Sequence, residues 1–286
     1  MKSIRLRSPS KINIFLRVLG KRLDGYHEIE TLFQQTDFAD EVILRRIRGG
    51  KSLDVLGAPE IQSEDNIVFR AVKWLESLSC QSFDVKIELH KNIPIASGLG
   101  GGSSNAAATI VGIKELFDLD WLDLDAISPL TAVLGADVPF FFHGGSAIGE
   151  GIGENLTQVC VEKPDNILLV NPGFPVSTAK VFEKISKTLT GKMKPGILRG
   201  LFGESRDVRD FLHNDLQTIA ERMYPPISSA LNVLRGIGIE KPLMSGSGPT
   251  IFGLLDEAPL KSQLQAFPKS WKVIVTRPAK RGITIN

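Results

Sequence analysis

The sequence predicts an α+β protein of two domains. The chain has 286 residues, and at roughly 150 residues per domain this length suits two domains or one large unit. Strand-like and helix-like segments alternate in the first half, and the second half has the element order of a ferredoxin-like fold. A polar, proline-containing segment near residue 160 separates the halves. The predicted domains are therefore residues 1–160 and 161–286.

Composition and charge are those of an ordinary globular protein. Hydrophobic residues make up 42% and charged residues 23% of the chain, so disorder is not expected. The net charge of +2 and the scattered Lys and Arg residues argue against a nucleic-acid partner. Cys80 and Cys160 lie far apart without a metal-binding spacing, which fits a reducing compartment. Because no apolar run reaches about 18 residues and the start lacks a signal-peptide core, we expect a cytoplasmic protein without a membrane segment.

Hydrophobic periodicity predicts the elements of the first domain. Apolar residues alternate over residues 12–18, so Lys11 and Asn13 share the opposite face of that strand. Asp24-Gly25 then suits the turn of a hairpin. Helical spacing that follows Asp65-Asn66 predicts a capped helix, and strict alternation over residues 83–90 predicts a half-buried strand.

The second domain has the order β-α-β-β-α-β once two additional helices are set aside. The expected strands are at 166–171, 243, 251–255 and 272–276. The expected helices are at 178–189, 208–223, 226–235 and 260–267, with a Gly/Lys/Pro-rich loop that ends near 205.

A glycine- and serine-rich segment, IPIASGLGGGSSNAAA at 93–108, lies between a predicted strand and a helix. Each ordered glycine costs roughly 0.5–1 kcal/mol relative to alanine, so four cost on the order of 2–4 kcal/mol. Hydrogen bonds from backbone amides to a phosphate at a helix N-terminus contribute roughly 1.5–3 kcal/mol each, which offsets that cost. We therefore interpret the segment as a phosphate-binding loop. Ser103, Ser104 or Asn105 is expected to cap the helix, which ends near Phe117.

The two common phosphate-loop patterns do not match this segment. In a Walker loop, Ser103 would replace the second glycine and no lysine follows. A dinucleotide fingerprint that starts at Gly98 also breaks at Ser103. From spacing alone, a flexible structural loop therefore remains an alternative.

The same segment resembles the phosphate-binding motif of the GHMP kinase superfamily, and three other segments resemble motifs of that family in order. They are PSKINIFLRVLGKRLDGYHEIETLFQ at 9–34, LGADVPFFFHGGSAIGEGIGE at 134–154 and MSGSGPTIFGL at 244–254. The resemblance implies an N-terminal ribosomal-protein-like α/β domain, a C-terminal ferredoxin-like α+β domain, and an active site in the cleft between them. It also implies an ATP-dependent, Mg²⁺-requiring kinase. Its expected acceptor is the 2-hydroxyl group of a diphosphocytidyl-methylerythritol, an intermediate of non-mevalonate isoprenoid synthesis.

Two charged residues match the catalytic positions of the resembling family. Asp137 matches a general base that removes the proton of the alcohol, and Lys11 matches a lysine that keeps this carboxylate ionised and oriented. From the residues alone, Asp137 could instead cap a helix, and Lys11 could be a solvated residue at the start of a strand.

The resemblance also implies which residues bind the two substrates. On the nucleotide side these are Pro94, Ser97, Gly98, Leu99, Gly100, Gly101, Gly102, Ser103 and Ser104, with Asn66 and Lys91 near the adenine. On the acceptor side they are Asn13, Tyr26, His27, Phe33, Thr178, Phe182, Ser245, Gly246, Ser247 and Gly248. The aromatic members are expected near the cytidine ring, because a pyrimidine needs apolar faces beside hydrogen-bonding groups.

From the sequence alone, these residues could also have purely structural roles. Tyr26 and His27 could be surface residues beside a turn, Phe33 and Phe182 could belong to the core, and residues 245–250 could simply connect two strands. The sequence identifies no acidic metal ligand, and a hydroxyl of Ser103 or Ser104 is a candidate. Mg²⁺ could also be held mainly by ATP oxygens and water.

Two other functions compete with this interpretation. A GHMP kinase for a mevalonate- or homoserine-type acceptor would have no base for Tyr26 and His27 to bind. A non-catalytic phosphate- or RNA-binding module fits a ribosomal-protein-like domain, but the low net charge and the Lys11 and Asp137 pair disfavour it. We expect a monomer or weak homodimer whose partner is a small-molecule substrate.

Overall fold

The computed structural model describes residues 2–186, 196, 198 and 207–286. The strands are β1 (Ser3–Lys21), β2 (His27–Arg46), β3 (Lys51–Leu56), β4 (Val85–His90), β5 (Ser146–Glu150), β6 (Asn155–Gln158), β7 (Asn166–Asn171), β8 (His213–Asn214), β9 (Leu243–Met244), β10 (Ile251–Leu255), β11 (Lys272–Thr276) and β12 (Thr284–Ile285). The α-helices are α1 (Ile67–Ser79), α2 (Gly101–Leu116), α3 (Leu124–Ile127), α4 (Phe140–His143), α5 (Thr178–Ser186), α6 (Gln217–Met223), α7 (Pro225–Gly236) and α8 (Lys261–Leu264). Short 3-10 turns lie at Pro59–Ile61, Ser128–Val133 and Val208–Phe211.

The larger sheet is built on a long hairpin of β1 and β2. Its main path is β12-β1-β2-β4-β3, while β5 extends β2, β6 pairs with β5, and β8 pairs with β1. The hairpin closes where the sequence predicts it: Arg22 N–H donates to Tyr26 O at 2.8 Å, and Gly25 supplies a positive φ of 89°. The register shifts after Pro9 and again after Asn13, so the backbone of β1 is irregular on both sides of Lys11.

The smaller sheet has the strand order β11-β7-β10-β9, and every neighbouring pair is antiparallel. Numbered within this unit, the order is 4-1-3-2, with α5 following the first strand and α8 preceding the fourth. The α+β prediction with a ferredoxin-like second unit is therefore confirmed.

Helix α2 packs closely on the larger sheet, and this packing fixes where its first turn points. Its alanines Ala106, Ala107 and Ala108 are fully buried. A Cβ at Gly112 would lie only 2.3 Å from Leu44 Cδ1, so the leucine side chain would have to shift to admit any larger residue there. This close packing places the N-terminal turn of the helix beside β1.

Three predicted helix boundaries are wrong. Helix α2 begins at Gly101 with Gly100 as its N-cap and without a side-chain cap, so Ser103, Ser104 and Asn105 lie inside the helix rather than at its cap. Helix α8 is shorter than predicted, at Lys261–Leu264. The segment predicted as a helix at 208–223 divides into a 3-10 turn, strand β8 and α6.

Tertiary hydrogen bonds explain the division of that segment. The Asn214 side chain donates to Met244 O at 2.7 Å and to Gly246 O at 2.8 Å. Asp215 accepts from Val18 N–H at 2.8 Å. These bonds to distant strands replace the bonds of a continuous helix. The last residues of the helix predicted at 178–189, and most of the loop predicted up to 205, lie outside the described residues.

Within the described part of the chain, no helix is both long enough and apolar enough to cross a membrane.

Candidate active site

A deep cleft of about 1160 Å³ lies between the two sheets, and both parts of the chain line it. The larger-sheet side contributes Lys11, Asn13 and Asp137, together with the loop that begins at Pro94. The other side contributes residues of α5 and of the turn between β9 and β10. Most of the residues predicted to act on the two substrates therefore line one cavity.

The loop at 97–100 has the backbone conformation that its glycines permit. Gly98 and Gly100 adopt positive φ angles of 79° and 71°. A Cβ at Gly98 would lie 2.2 Å from Ser245 O, and a Cβ at Gly100 would lie 3.0 Å from Lys11 Cγ. Gly101 and Gly102 are instead the first residues of α2. The four glycines thus serve different purposes: Gly98 and Gly100 set the turn of the chain, and only at Gly102 would a Cβ fit without a close contact, its nearest neighbour being Ile67 Cγ2 at 3.8 Å.

The carbonyl groups of this loop are held by other parts of the chain. Leu99 O accepts from Lys11 N–H at 2.9 Å, and Ser97 O accepts from Thr250 N–H at 3.2 Å. Gly98 O accepts from the Ser245 hydroxyl at 2.9 Å. Each of these three carbonyl oxygens thus has a hydrogen-bond donor within the protein.

The first turn of α2 borders the cleft with unpaired amides. Ser104 N–H is the first helical amide to find its intrahelical partner, Gly100 O, at 2.9 Å. The preceding amides of Gly101, Gly102 and Ser103 have no partner within the helix, and these three residues line the cavity. Amides at a helix N-terminus, at the positive end of the helix dipole, favour a phosphate group.

Lys11 and Asp137 form an ion pair at the wall of this cleft. Lys11 Nζ lies 3.2 Å from Asp137 Oδ2 and donates to Asn13 Oδ1 at 2.7 Å. The side chain of Lys11 is only 5% exposed, whereas that of Asp137 is 29% exposed. Lys11 Nζ also lies 5.5 Å from the centre of the Phe33 ring. The carboxylate is therefore accessible to a ligand, while the ammonium group is fixed behind it.

The structure excludes the alternative structural roles of these two residues, a helix cap for Asp137 and a solvated strand position for Lys11. Asp137 is not a helix cap, because α4 begins after Pro139 and has no side-chain cap. Lys11 is not a solvated strand residue but is 4% exposed, since Gly100 leaves room for its methylene groups.

Aromatic side chains also line the cleft. The rings of His27 and Phe182 lie 5.1 Å apart, on different walls of the cavity. Tyr26 is 60% exposed at the rim. Thr178 Oγ1 and Ser247 Oγ form a hydrogen bond of 2.7 Å beside them. Burial, and secondly the positive charge of Lys21, hold the pKa of His27 below its ordinary value, so the imidazole is neutral at pH 7.

A buried polar network supports the glycine loop from behind. Lys91 donates to Asp40 and, at 3.0 Å, to Asn105 Oδ1. Asp40 Oδ1 also accepts from Asn92 N–H at 2.7 Å and Ile93 N–H at 2.8 Å. Lys91 borders the cavity, but its charge is paired with Asp40.

Asn66 combines a structural role with a place in the cavity wall. Its side chain accepts from Val68 N–H at 3.0 Å as the N-cap of α1 and also donates to Ile61 O at 2.8 Å. The capping function that the sequence predicts is confirmed by these bonds.

Four of the predicted binding residues lie behind the cavity wall instead of in it. They are Leu99, Ser104, Ser245 and Gly248. Leu99 is fully buried in the core, and the Ser104 hydroxyl oxygen accepts a hydrogen bond from the Ser8 hydroxyl at 2.7 Å. Ser245 joins Gly98 O to the amide of Asn13. Ser104 and Ser245 therefore use their hydroxyl groups in hydrogen bonds within the protein.

Several cavity residues were not predicted from the sequence. They are Lys21, Ile95, Ala136, Ile152, Ala179, Lys180 and Glu183, among others. The helical period alone would not have found Ala179 and Glu183, because residues one position after Thr178 and Phe182 are rotated away from that face of α5. Ile152 lies on a hairpin between β5 and β6, and no local pattern indicates that this hairpin reaches the cleft.

A glycine loop at a helix N-terminus, facing a lysine-paired aspartate in a cleft between an α/β unit and a ferredoxin-like unit, defines a small-molecule kinase of the GHMP type. The sequence model of the GHMP kinases N terminal domain matches residues 66–145. That of the GHMP kinases C terminal domain matches residues 193–273.

Full-length relatives narrow the assignment. A 4-diphosphocytidyl-2-C-methyl-D-erythritol kinase of Syntrophus aciditrophicus (strain SB) is 40% identical over 278 residues, which cover 96% of this chain and 99% of that protein. The enzyme of the same name from Geobacter metallireducens is 38% identical and covers 97% and 99% of the two chains. The chain therefore belongs to the 4-diphosphocytidyl-2-C-methyl-D-erythritol kinase family, and it is an ATP-dependent kinase.

Solved structures agree with this membership. A crystal structure of 4-(cytidine 5'-diphospho)-2C-methyl-D-erythritol kinase matches with a TM-score of 0.73 and 29% identity, over 96% of this chain and 100% of that chain. A homoserine kinase from Cytophaga hutchinsonii also has a TM-score of 0.73, but at 18% identity it supports the fold alone.

Proposed function

We propose that this protein transfers the γ-phosphoryl group of ATP to the 2-hydroxyl group of 4-diphosphocytidyl-2-C-methyl-D-erythritol. The observation that carries the proposal is the meeting, in one cleft, of three features: the amides of α2, the Lys11 and Asp137 pair, and the aromatic end around His27. The same-named relatives match nearly the whole chain, which supports this acceptor over others.

The two substrates are proposed to enter the cleft from opposite ends. The triphosphate lies along the loop at 97–100 and the unpaired amides of 101–103, where the helix dipole favours negative charge. The cytosine ring packs against the adjoining rings of His27 and Phe182, with Tyr26 covering its edge. This arrangement brings the acceptor alcohol to the middle of the cavity, beside Asp137.

The reaction then requires little covalent chemistry from the protein. The acceptor oxygen forms a bond to the γ-phosphorus, and the bond from that phosphorus to the β–γ bridging oxygen breaks to release ADP. Asp137 takes the hydroxyl proton as general base. Lys11 keeps the carboxylate ionised and oriented, and it stabilises the negative charge of the phosphoryl group in transfer.

Magnesium is proposed as the ion that accompanies ATP. In the described residues, no group of three or more His, Cys, Asp or Glu side chains is arranged to bind a metal. This fits an ion that keeps most of its coordination to phosphate oxygens and water, where it would neutralise phosphate charge. Ser103 lines the cavity and is the proposed protein ligand of the ion. The Ser104 hydroxyl instead forms a hydrogen bond with Ser8.

We propose a domain boundary near residue 160. Strand β6 of the larger sheet ends at Gln158, and β7 of the smaller sheet begins at Asn166. The later strands β8 and β12 return to the larger sheet. Because one chain supplies both walls of the cleft, the proposed reaction needs no second subunit.

An acceptor panel tests the proposed function. Purified protein with ATP and magnesium is offered 4-diphosphocytidyl-2-C-methyl-D-erythritol, mevalonate or homoserine in parallel, and ADP release is measured. We expect turnover with the cytidyl acceptor alone. Turnover with mevalonate or homoserine instead would assign another acceptor class, and binding of RNA without any ADP release would contradict a kinase.

A pH dependence of acceptor binding follows from His27. Because its pKa is lowered in the folded protein, the neutral ring persists at pH 7 and can bind the base. As the pH falls below the ordinary histidine pKa of about 6.5 and through the lower folded value, the ring gains a proton. The KM of the acceptor is expected to rise over that window while the KM of ATP stays constant.

The titration of His27 also makes the free energy of unfolding depend on pH. The unfolded chain binds the His27 proton more readily than the folded chain, so the free energy of unfolding increases with pH across the window.

His27→Gln tests the pH dependence of acceptor binding. It keeps a hydrogen-bonding side chain but does not titrate, and it should flatten the pH profile of the acceptor KM. An unchanged profile in this variant would exclude His27 as the titrating group.

A further inference from the structure

A buried threonine on β2 connects two groups of the cleft wall. Asn13 Nδ2 donates to Thr31 Oγ1 at 2.8 Å, and the Thr31 hydroxyl donates to Phe15 O at 2.6 Å. Thr31 is fully buried, and it does not line the cavity. The register of β1 on β2 shifts between Asn13 and Phe15, so one residue of β2 reaches both of them.

The direction of these hydrogen bonds fixes the orientation of the Asn13 amide. A threonine hydroxyl has a single proton. A backbone carbonyl can only accept, so that proton is committed to Phe15 O. Toward Asn13 the hydroxyl can therefore only accept, and Asn13 must present its NH₂ group. The other end of the same amide, Oδ1, must then face Lys11.

The orientation of Asn13 in turn sets the position of Lys11. Asn13 Oδ1 accepts from Lys11 Nζ at 2.7 Å, and the same nitrogen lies 3.2 Å from Asp137 Oδ2. If the amide rotated by half a turn, its NH₂ group would face the ammonium group. Two donors would then oppose each other in a buried site, and Lys11 would have to move away from Asp137.

We propose that Thr31 is a positioning residue for the catalytic pair: its hydroxyl acts through Asn13 to hold Lys11 against Asp137. This inference rests on the proposed function for its effect on turnover. The hydroxyl, and not the methyl group, carries the role, because only the hydroxyl determines which end of Asn13 faces Lys11.

Three variants test the role of the hydroxyl by kinetics. Thr31→Val keeps the shape and removes the hydroxyl, and kcat is expected to fall about ten-fold while the KM of ATP changes by less than about two-fold. Thr31→Ser restores the hydroxyl and should retain most of the activity. Thr36→Val is the matched control, because Thr36 is also fully buried on β2 and bonds Ser10 Oγ at 2.6 Å, away from Asn13; its kcat should not change.

Three kinetic results would contradict the proposed role of Thr31. An unchanged kcat in Thr31→Val, or a Thr31→Ser variant as impaired as Thr31→Val, would overturn the proposal. Equal losses in Thr31→Val and Thr36→Val would also overturn it, since a general loss of packing would then explain both.

An NMR measurement on the wild-type protein tests the same bond without turnover and without a variant that must fold. One side-chain NH proton of Asn13 should exchange slowly with solvent, because it is bonded to a buried oxygen. Rapid exchange of both protons would overturn the inference. If the wild-type protein fails to phosphorylate the cytidyl acceptor, the proposed function fails, whereas slow exchange would still support Thr31 as the residue that orients Asn13.

Discussion

Asp137→Asn is expected to lower kcat by roughly 10²- to 10⁴-fold, which is the usual contribution of a general base. Asparagine has the same shape and can still accept a hydrogen bond from Lys11, but it cannot take the proton of the acceptor. The carboxylate oxygen lies 3.2 Å from Lys11 Nζ and is partly accessible from the cleft. The glycine loop is unaltered, so the Kd of ATP should change by less than about three-fold.

Single-turnover kinetics and ATP titration check this result together. Asp54→Asn is a suitable control, because Asp54 also pairs with a lysine, Lys86, at 2.6 Å, but on the exposed surface. That variant should retain full kcat. If Asp137→Asn keeps more than about half of the wild-type kcat, Asp137 has no part in proton transfer.

Gly98→Ala is expected to damage both nucleotide binding and stability. The residue has a φ of 79°, and an added Cβ would lie 2.2 Å from Ser245 O and 3.1 Å from Gly248 O. Both neighbours are backbone atoms, so the strain cannot be relieved by rotating a side chain. We expect the free energy of unfolding to fall by roughly 2–5 kcal/mol.

The displaced loop should also bind ATP at least about ten-fold more weakly, because its amides no longer converge on the phosphates. Chemical denaturation and ATP titration measure the two effects. Gly236→Ala is the matched control: it ends α7, faces open space, and should change stability by less than about 1 kcal/mol. Wild-type ATP affinity in Gly98→Ala would contradict the proposed role of the loop.

Local pattern was sufficient for most of the fold. The strands of the second sheet lie where periodicity predicts them, and β7 and β10 have buried apolar residues in a short run. The glycine density at 98–102 predicted a turn into a helix, and α2 follows it. These elements depend on residues that are close together in the sequence, so their pattern can be recognised without knowledge of the fold.

Features that depend on distant residues were not predictable from pattern. A lysine in an alternating strand is expected to be solvated, yet Lys11 is buried because the turn at 245–248 and the loop at 97–100 cover that face of β1. The polar network of Asp40, Lys91 and Asn105 likewise joins residues far apart in sequence. The resemblance to a kinase family identified the candidate residues, but only the folded chain determines which of them face the cavity.

A crystal structure with a non-hydrolysable ATP analogue and 4-diphosphocytidyl-2-C-methyl-D-erythritol is the most direct test that one cleft aligns both substrates on Asp137. The acceptor hydroxyl oxygen should lie within about 2.6–3.2 Å of an Asp137 carboxylate oxygen. The same oxygen should lie about 3–3.5 Å from the γ-phosphorus, whose oxygens contact the amides of 101–103. A cytidine bound away from His27 and Phe182, or a γ-phosphate remote from the first turn of α2, would contradict the account.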